Sequence, residues 1–196
     1  MVEHQKGDTH LFSDYSQLEA LRKRLFTLGL IGEKDGIGYG NLSMRDDSSK
    51  PFFITATQTG KMPTLSPAHY TYISDYDFNT FKVISQGTHK PSSEALSHAM
   101  IYAIDDRITT VIHIHSLALW KFMKTKNYLA TTAEYGTAKM VEEIAKLYIN
   151  LDPMMNNAFV MKGHEEGIIT FGKSVEETEL VLYGIIEAYL EEDYKL

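Results

Sequence analysis

The feature that most constrains this chain is a run of six residues, Val-Ile-His-Ile-His-Ser at positions 111–116. In a β-strand successive side chains point to opposite faces, so Ile112 and Ile114 would face one side and His113 and His115 the other. Histidines at this spacing lie about 6–7 Å apart at their Cα atoms, and both rings can then reach one metal ion. The run also fits two structural, hydrogen-bonded histidines, and by itself it leaves both interpretations open.

The composition limits the kind of metal site that the chain can build. Its 196 residues include no cysteine, so disulfides and thiolate ligands are excluded and histidine, aspartate or glutamate must hold any metal. The net charge of −7 and the lack of a basic run argue against nucleic acid as a partner. There is no apolar signal segment, and no apolar run approaches the roughly 20 residues of a membrane helix. We therefore expect a soluble, cytoplasmic protein without a membrane partner.

Hydrophobic spacing predicts one α/β domain over residues 1–196, with residues 1–12 loosely attached. Apolar stripes and N-cap residues predict five helices, the first capped by Ser13 or Asp14. These helices cover residues 15–28, 94–104, 117–123, 138–148 and 175–190. The predicted strands cover residues 42–44, 51–57, 70–74, 81–85, 108–115, 158–161 and 168–171. A glycine-rich loop at 32–41 and a turn at 46–49 complete the prediction, and hairpin-like pairs favour a mixed or antiparallel sheet.

Three further groups of residues have the chemistry of an active site. His164 lies in a Gly-His-Glu-Glu-Gly turn, where a histidine is more often simply exposed than a third ligand. Glu94 opens a helix, and it either stabilises the helix dipole or acts as a proton shuttle or metal ligand. Small polar residues at loop–helix junctions either cap and turn the chain or bind phosphate. These residues are Asn41, Thr59, Gly60, Ser92 and Ser93.

Five segments in this order resemble the class II aldolase/adducin family, the fold of fuculose-phosphate aldolase and ribulose-phosphate 4-epimerase. The segments are residues 40–45, 59–60, 90–94, 113–116 and 163–164, the last followed by Gly172. The resemblance runs from about Leu18 to Glu187. It implies a three-layer α/β/α sandwich with a central mixed, largely antiparallel sheet, and a homotetramer with its sites at subunit interfaces.

The resemblance also implies a role for each matching residue. His113, His115 and His164 would hold one divalent ion, most often Zn²⁺, and Glu94 would be the catalytic acid/base. The phosphate of a sugar-phosphate substrate would bind at Asn41, Thr59, Gly60, Ser92 and Ser93. The implied activity is retro-aldol cleavage by an aldehyde-lyase acting on a sugar phosphate or related hydroxy-carbonyl compound. The alternatives are an epimerase, dehydratase or decarboxylase with the same metal site, and a non-catalytic, adducin-like assembly module.

Three departures from the family pattern bear on the reaction. The segment 116–134 is short, and only Tyr128 and Tyr135 are candidates for the acid tyrosine that a neighbouring subunit supplies in the aldolases. The turn after His164 adds two glutamates beside the metal loop. Ala-Thr-Gln at 56–58 replaces the more usual Thr-Pro-Ser. The metal ligands are intact, but the substrate is left open.

Overall fold

The computed structural model describes residues 1–8, 15–46 and 50–193. The predicted cap at Ser13 or Asp14 and most of the predicted turn at 46–49 lie outside the described residues. The helices are α1 (Tyr15–Thr27), α2 (Ala95–Ile104), α3 (Leu117–Thr125), α4 (Ala138–Leu147) and α5 (Val175–Asp193). The strands are β1 (Val2–Lys6), β2 (Gly32–Lys34), β3 (Ile37–Tyr39), β4 (Asn41–Met44), β5 (Phe52–Thr55), β6 (Tyr70–Asp77), β7 (Lys82–Gly87), β8 (Thr110–His115), β9 (Leu129–Thr131), β10 (Ala158–Met161) and β11 (Gly167–Gly172).

Nine strands form one sheet in the order β1-β7-β6-β5-β4-β8-β11-β10-β9. The outermost pairs, β1 with β7 and β9 with β10, are parallel, and every other neighbouring pair in this sheet is antiparallel. The predicted mixed, largely antiparallel sheet is therefore confirmed. Strand β8 lies inside the sheet, where His113 is paired with Asn41 of β4 on one side and with Ile169 of β11 on the other. Pairing on both edges holds the two-histidine strand firmly in place.

The sheet separates two hydrophobic cores, and this gives the predicted three layers. Helices α2 and α4 cover one face around Val111 and Ile144. Helices α1, α3 and α5 cover the other around Ile112 and Leu182. All four of these side chains are fully buried, and burial of each contributes roughly 1.5–3 kcal/mol. The alternation in β8 therefore places its isoleucines in one core and its histidines on the α2–α4 side, as the pattern predicts.

The structure differs from the sequence prediction mainly in short or edge strands. Residues 2–6 of the segment predicted to be loose form β1, and β9 had no predicted counterpart. The glycine-rich region is not all loop, because β2 and β3 form a hairpin there. Its two-residue turn, Asp35-Gly36, has φ values of 54° and 81°, which match the type I′ turn that an Asp-Gly pair favours. Within the described residues, no helix combines the length and hydrophobicity needed to cross a membrane.

Candidate metal centre and active site

Three histidines from two parts of the sheet converge at one point. Strand β8 carries His113 and His115, and the turn between β10 and β11 carries His164. One ring nitrogen of each histidine lies within 4.8 Å of the other two, and the Nε2 atoms of His115 and His164 are 2.9 Å apart. One cation can therefore contact all three rings after only small side-chain adjustments.

The histidine cluster fits a divalent metal. The Nε2 atom of His113 is buried without a hydrogen-bond partner among the described residues. Burial, with the charge of His113 adding to it, lowers the pKa of His115 to about 2 and that of His164 to about 4. Both rings are therefore neutral near pH 7, which is the form that binds a metal. A set of three imidazoles without thiolate suits Zn²⁺ and similar divalent ions.

Two glycines allow the His164 turn to approach the strand so closely. A Cβ atom at Gly167 would lie 2.5 Å from Cδ2 of His164 and 3.2 Å from Nε2 of His113. A Cβ atom at Gly163 would lie 2.2 Å from the carbonyl oxygens of Thr132 and Ala133. A side chain at Gly163 would push the turn away from residues 132–133, and one at Gly167 would push it away from His113 on β8.

Glu94 lies beside the histidines at the start of α2. Its Oε2 atom is 2.5 Å from Nδ1 of His113 and accepts a hydrogen bond of 2.7 Å from the amide of Asn41. Burial alone would raise the pKa of Glu94, but the facing His113 and His164 and the Asn41 hydrogen bond outweigh it and hold the pKa at about 2. Its Oε1 atom has no partner among the described residues. Glu94 is thus an ionised carboxylate with one oxygen available for proton transfer.

Three polar contacts hold α2 against β4 and against Arg45, the residue that follows β4. Two residues along a strand span about 6.6–6.8 Å, and four residues along a helix span about 6 Å. Every second residue of the strand can therefore meet every fourth residue of the helix. The three pairs are Asn41 with Glu94, Ser43 with His98 (2.7 Å), and Arg45 with the carbonyl of Tyr102 (3.2 Å). These contacts set the rotation of α2 and direct Glu94, the residue just before it, towards the metal centre.

The histidines and Glu94 line a cleft of about 160 Å³. The small polar residues singled out in the sequence line the same cleft, so the structure brings them together with the histidines and Glu94. These are Asn41, Thr59, Gly60, Ser92 and Ser93. The hydroxyl of Thr59 donates to the carbonyl of Ala56 at 2.8 Å, which leaves the backbone of this loop as its free donor. Ser92 Oγ accepts from the N–H of Glu94 at 3.3 Å, so its own proton stays available to a ligand.

Tyrosines complete the wall of the cleft. The ring of Tyr135 lies 4.3 Å from that of His164, and the ring of Tyr39 lies 5.1 Å from that of His115. Of the two candidate acid tyrosines, Tyr135 lines this cleft and Tyr128 lines a different pocket beside α5. Sequence reasoning missed Tyr39, although a single aromatic residue between two glycines was a usable signal.

A three-layer fold with this cluster at one cleft defines a class II aldolase-like enzyme. The chain belongs to the class II aldolase and adducin N-terminal domain family, which matches residues 20–189. Enzymes of this class use a divalent metal, and the three-histidine cluster is in place for it.

Known relatives agree with this assignment. The chain is 28% identical over 147 residues to the L-fuculose phosphate aldolase of Methanococcus maripaludis, covering 70% of this chain and 75% of that protein. A solved L-fuculose 1-phosphate aldolase superposes with a TM-score of 0.67 at 22% identity, covering 96% of this chain and 91% of that one. The L-fuculose-1-phosphate aldolase of Thermus thermophilus gives a TM-score of 0.64 at 17% identity, covering 92% of this chain and 93% of that one.

Proposed function

We propose that the chain is a metal-dependent aldehyde-lyase that cleaves a phosphorylated hydroxy-carbonyl compound by a retro-aldol reaction. The observation that carries this proposal is the meeting of three converging histidines with an ionised carboxylate in one cleft. The intact histidine cluster argues against a non-catalytic assembly module. The similarity to fuculose-phosphate aldolases favours C–C cleavage over the other reactions that such a site can perform.

The proposed cofactor is one Zn²⁺ ion per chain, held by His113, His115 and His164. When bound, it would act as a Lewis acid and polarise the oxygens of the substrate. Glu94, between Asn41 and His113, would remain outside this set of ligands and act on protons.

The proposed cleavage moves two protons. It breaks one C–C bond, leaves the electron pair on the ketose fragment and turns the neighbouring hydroxyl carbon into an aldehyde. One proton leaves that hydroxyl, and one is added to the ketose fragment. In the condensation direction the ionised Glu94 removes the ketose proton, so in cleavage its protonated form returns it. Tyr135, whose ring packs on that of His164, is our candidate for the group that takes the hydroxyl proton in cleavage and returns it to the aldehyde oxygen in condensation.

The remaining proposals concern the substrate and the assembly. We propose that the phosphate binds at the small polar residues of the cleft, since hydroxyls and free backbone N–H groups are the donors that phosphate prefers. We also propose a single domain over the whole chain, a homotetramer with its sites at subunit interfaces, and a cytoplasmic location. The homotetramer rests on the family resemblance, and the other two proposals rest on the patterning and composition of the sequence.

A panel of ketose phosphates, with release of aldehyde as the readout, tests the proposal. We expect cleavage of at least one member, loss of activity with a chelator, and recovery with a divalent ion. The variant Glu94→Gln should keep the metal and lose roughly 10²–10⁴-fold in kcat, the usual effect of removing a general acid/base. Turnover that is unchanged in Glu94→Gln would show that another group moves the proton.

A further inference from the structure

A buried arginine on α1 lies behind the polar loop of the cleft. Arg22 is only 1% exposed. Its Nη2 atom donates to the carbonyl oxygens of Thr59 at 2.8 Å and Gly60 at 3.4 Å. Its Nη1 atom has no partner among the described residues. A guanidinium group is thus in contact with backbone carbonyls on the far side of the loop from the cleft.

A carboxylate nearby on α1 is occupied with other partners. Glu19 is buried one helical turn before Arg22, and it lowers the cost of burying the cation. Its two oxygens, however, accept from the N–H of Leu65 at 2.8 Å and the O–H of Tyr70 at 2.7 Å. None of the ion pairs within the described ranges includes Arg22. Burying a cation without a contacting anion is unfavourable, and an anion on the cleft side of the loop would offset that cost.

The contacts of Arg22 also orient the N–H groups of the loop. The C=O and N–H of a trans peptide unit point in opposite directions, and the chain has no cis peptide bond in its described part. Because Arg22 draws the carbonyls of Thr59 and Gly60 towards α1, the N–H groups of Gly60 and Lys61 point away from α1. Neither N–H donates to another backbone group among the described residues.

The β2–β3 hairpin lies against the loop at this point. Gly38 lies next to the loop, and a Cβ atom there would come within 3.2 Å of the Gly60 nitrogen. Because Gly38 has no side chain, no Cβ atom crowds the Gly60 N–H. Gly38, Gly60 and Ser93 line the same cleft, so a ligand that meets this N–H also meets the start of α2.

We infer that Arg22 is a positioning residue for a phosphate subsite. It holds the loop at residues 59–61 with two free N–H groups turned away from α1, and it places a positive charge behind them. This inference rests on the proposed function, because it requires a substrate that carries a phosphate group. It predicts that a dianion binds here in preference to a neutral group, although Arg22 never touches the ligand.

Binding of inorganic phosphate to the metal-loaded full chain tests this inference by calorimetry. Arg22→Met keeps the approximate volume and removes the charge and the two hydrogen bonds, so we expect phosphate to bind about tenfold more weakly. Arg22→Lys keeps only the charge and should fall between wild type and Arg22→Met. The matched control is Lys23→Met, which removes an exposed cation from the next position of the same helix and should change affinity less than twofold.

The possible outcomes distinguish the role of Arg22 from the proposed phosphate site. Equal phosphate affinity in wild type and Arg22→Met would overturn the role of Arg22 and leave the phosphate site standing. A wild-type protein that binds no phosphate at millimolar concentration would overturn the phosphorylated substrate and the inference together. If metal occupancy falls along with phosphate affinity in Arg22→Met, the role of Arg22 is purely structural. That result would also overturn the inference. If Arg22→Met does not fold, the comparison of Arg22→Lys with Lys23→Met decides the question in the same way.

Discussion

At the scale of single residues, the site depends on a balance of protonation states. Burial keeps His115 and His164 neutral, while His113 and Asn41 keep Glu94 ionised despite its burial. Because of this arrangement, His115 and His164 stay in the neutral form that binds metal over a wide pH range. Glu94 stays in the ionised form that accepts a proton.

The first prediction concerns the ligands themselves. His113→Ala and His115→Ala should each lose the stoichiometric divalent metal, because two imidazoles alone hold the ion much more weakly. Elemental analysis of purified protein measures this, and His89→Ala, which changes an exposed histidine outside the cleft, is the matched control. Full metal content in both alanine variants would place the metal elsewhere.

The second prediction concerns stability and pH in the metal-free chain. Burial lowers the pKa of His98 to about 3, below its value of about 6.5 in the unfolded chain. The unfolded state therefore binds more protons, and the free energy of unfolding should fall as pH drops from 6.5 towards 4.5. Protonation of Glu94 lowers the free energy of unfolding further only below about pH 4.5, because the pKa of Glu94 is lowered from 4.5 to about 2 in the folded chain. His115 and His164 contribute to the first window with the same sign.

Urea unfolding between pH 4.5 and 6.5 measures this dependence. His98→Gln should make the slope shallower by up to about 1.4 kcal/mol per pH unit, the limit for one proton. His89→Gln serves as the exposed control. An unchanged slope in His98→Gln would mean that this histidine is not held neutral in the folded chain.

Most of the candidate site was predictable from the sequence, because its residues occur in short motifs. The two-histidine strand, the glycine-flanked His164 and the helix-start Glu94 each have a local signal. Arg22 was missed, since its partners lie about 37 residues away and no local pattern links them. Arg22 nonetheless lies on the leucine-lined side of α1, and this position indicates a buried arginine with specific partners.

At the scale of secondary-structure elements, the loop at 59–60 lines the cleft and is in contact with α1. It is packed between Arg22 on one side and the β2–β3 hairpin on the other. A Cβ atom at Gly60 would lie 2.3 Å from the carbonyl oxygen of Gly32 and 2.8 Å from backbone atoms of Tyr39. Only glycine fits there, and the loop owes its position to that fit.

The third prediction compares two glycine substitutions. Gly60→Ala should weaken phosphate binding at least tenfold, because the loop must shift away from the hairpin. Gly184→Ala on α5 has no atom within 4 Å of the new methyl group and should stabilise the fold by about 0.5–1 kcal/mol through helix propensity. Calorimetry and thermal unfolding of both variants check the pair. Unchanged phosphate binding in Gly60→Ala would remove this loop from the binding site.

The elements that sequence reasoning found are those with a strong local period. Strand β8 carries clear alternation and helices α1 and α4 carry apolar stripes, while α5 is marked by Ser174 before it and by acidic residues in its first turn. Strands β1 and β9 lie at the sheet edges and pair in parallel with distant segments, so their formation depends on tertiary contacts. The β2–β3 hairpin has three-residue strands, and its Asp-Gly turn was the one local signal that pointed to it.

At the scale of the whole molecule, the exposed surface suggests assembly. Tyr135 is 44% exposed although it lines the cleft, and α5 presents Leu180, Tyr183 and Leu190 to the surface. Exposed apolar side chains grouped on one helix are typical of contact surfaces. Their grouping is consistent with the proposed homotetramer, which would place a second chain near each site.

The fourth prediction is that the purified chain has the mass of four subunits by light scattering at micromolar concentration. Dilution or mild denaturant that dissociates the assembly should lower turnover before it unfolds the chain, because the proposed tetramer has its sites at subunit interfaces. Full turnover by a stable monomer would contradict the proposed interface site.

The most direct test of the central claim is a crystal structure of the zinc-loaded protein with anomalous data at the zinc edge. We expect one strong peak per chain, about 2.0–2.1 Å from a ring nitrogen of each of His113, His115 and His164, with Glu94 beside it. A fully loaded protein with its peak elsewhere, or with one of these histidines turned away from the ion, would contradict the account.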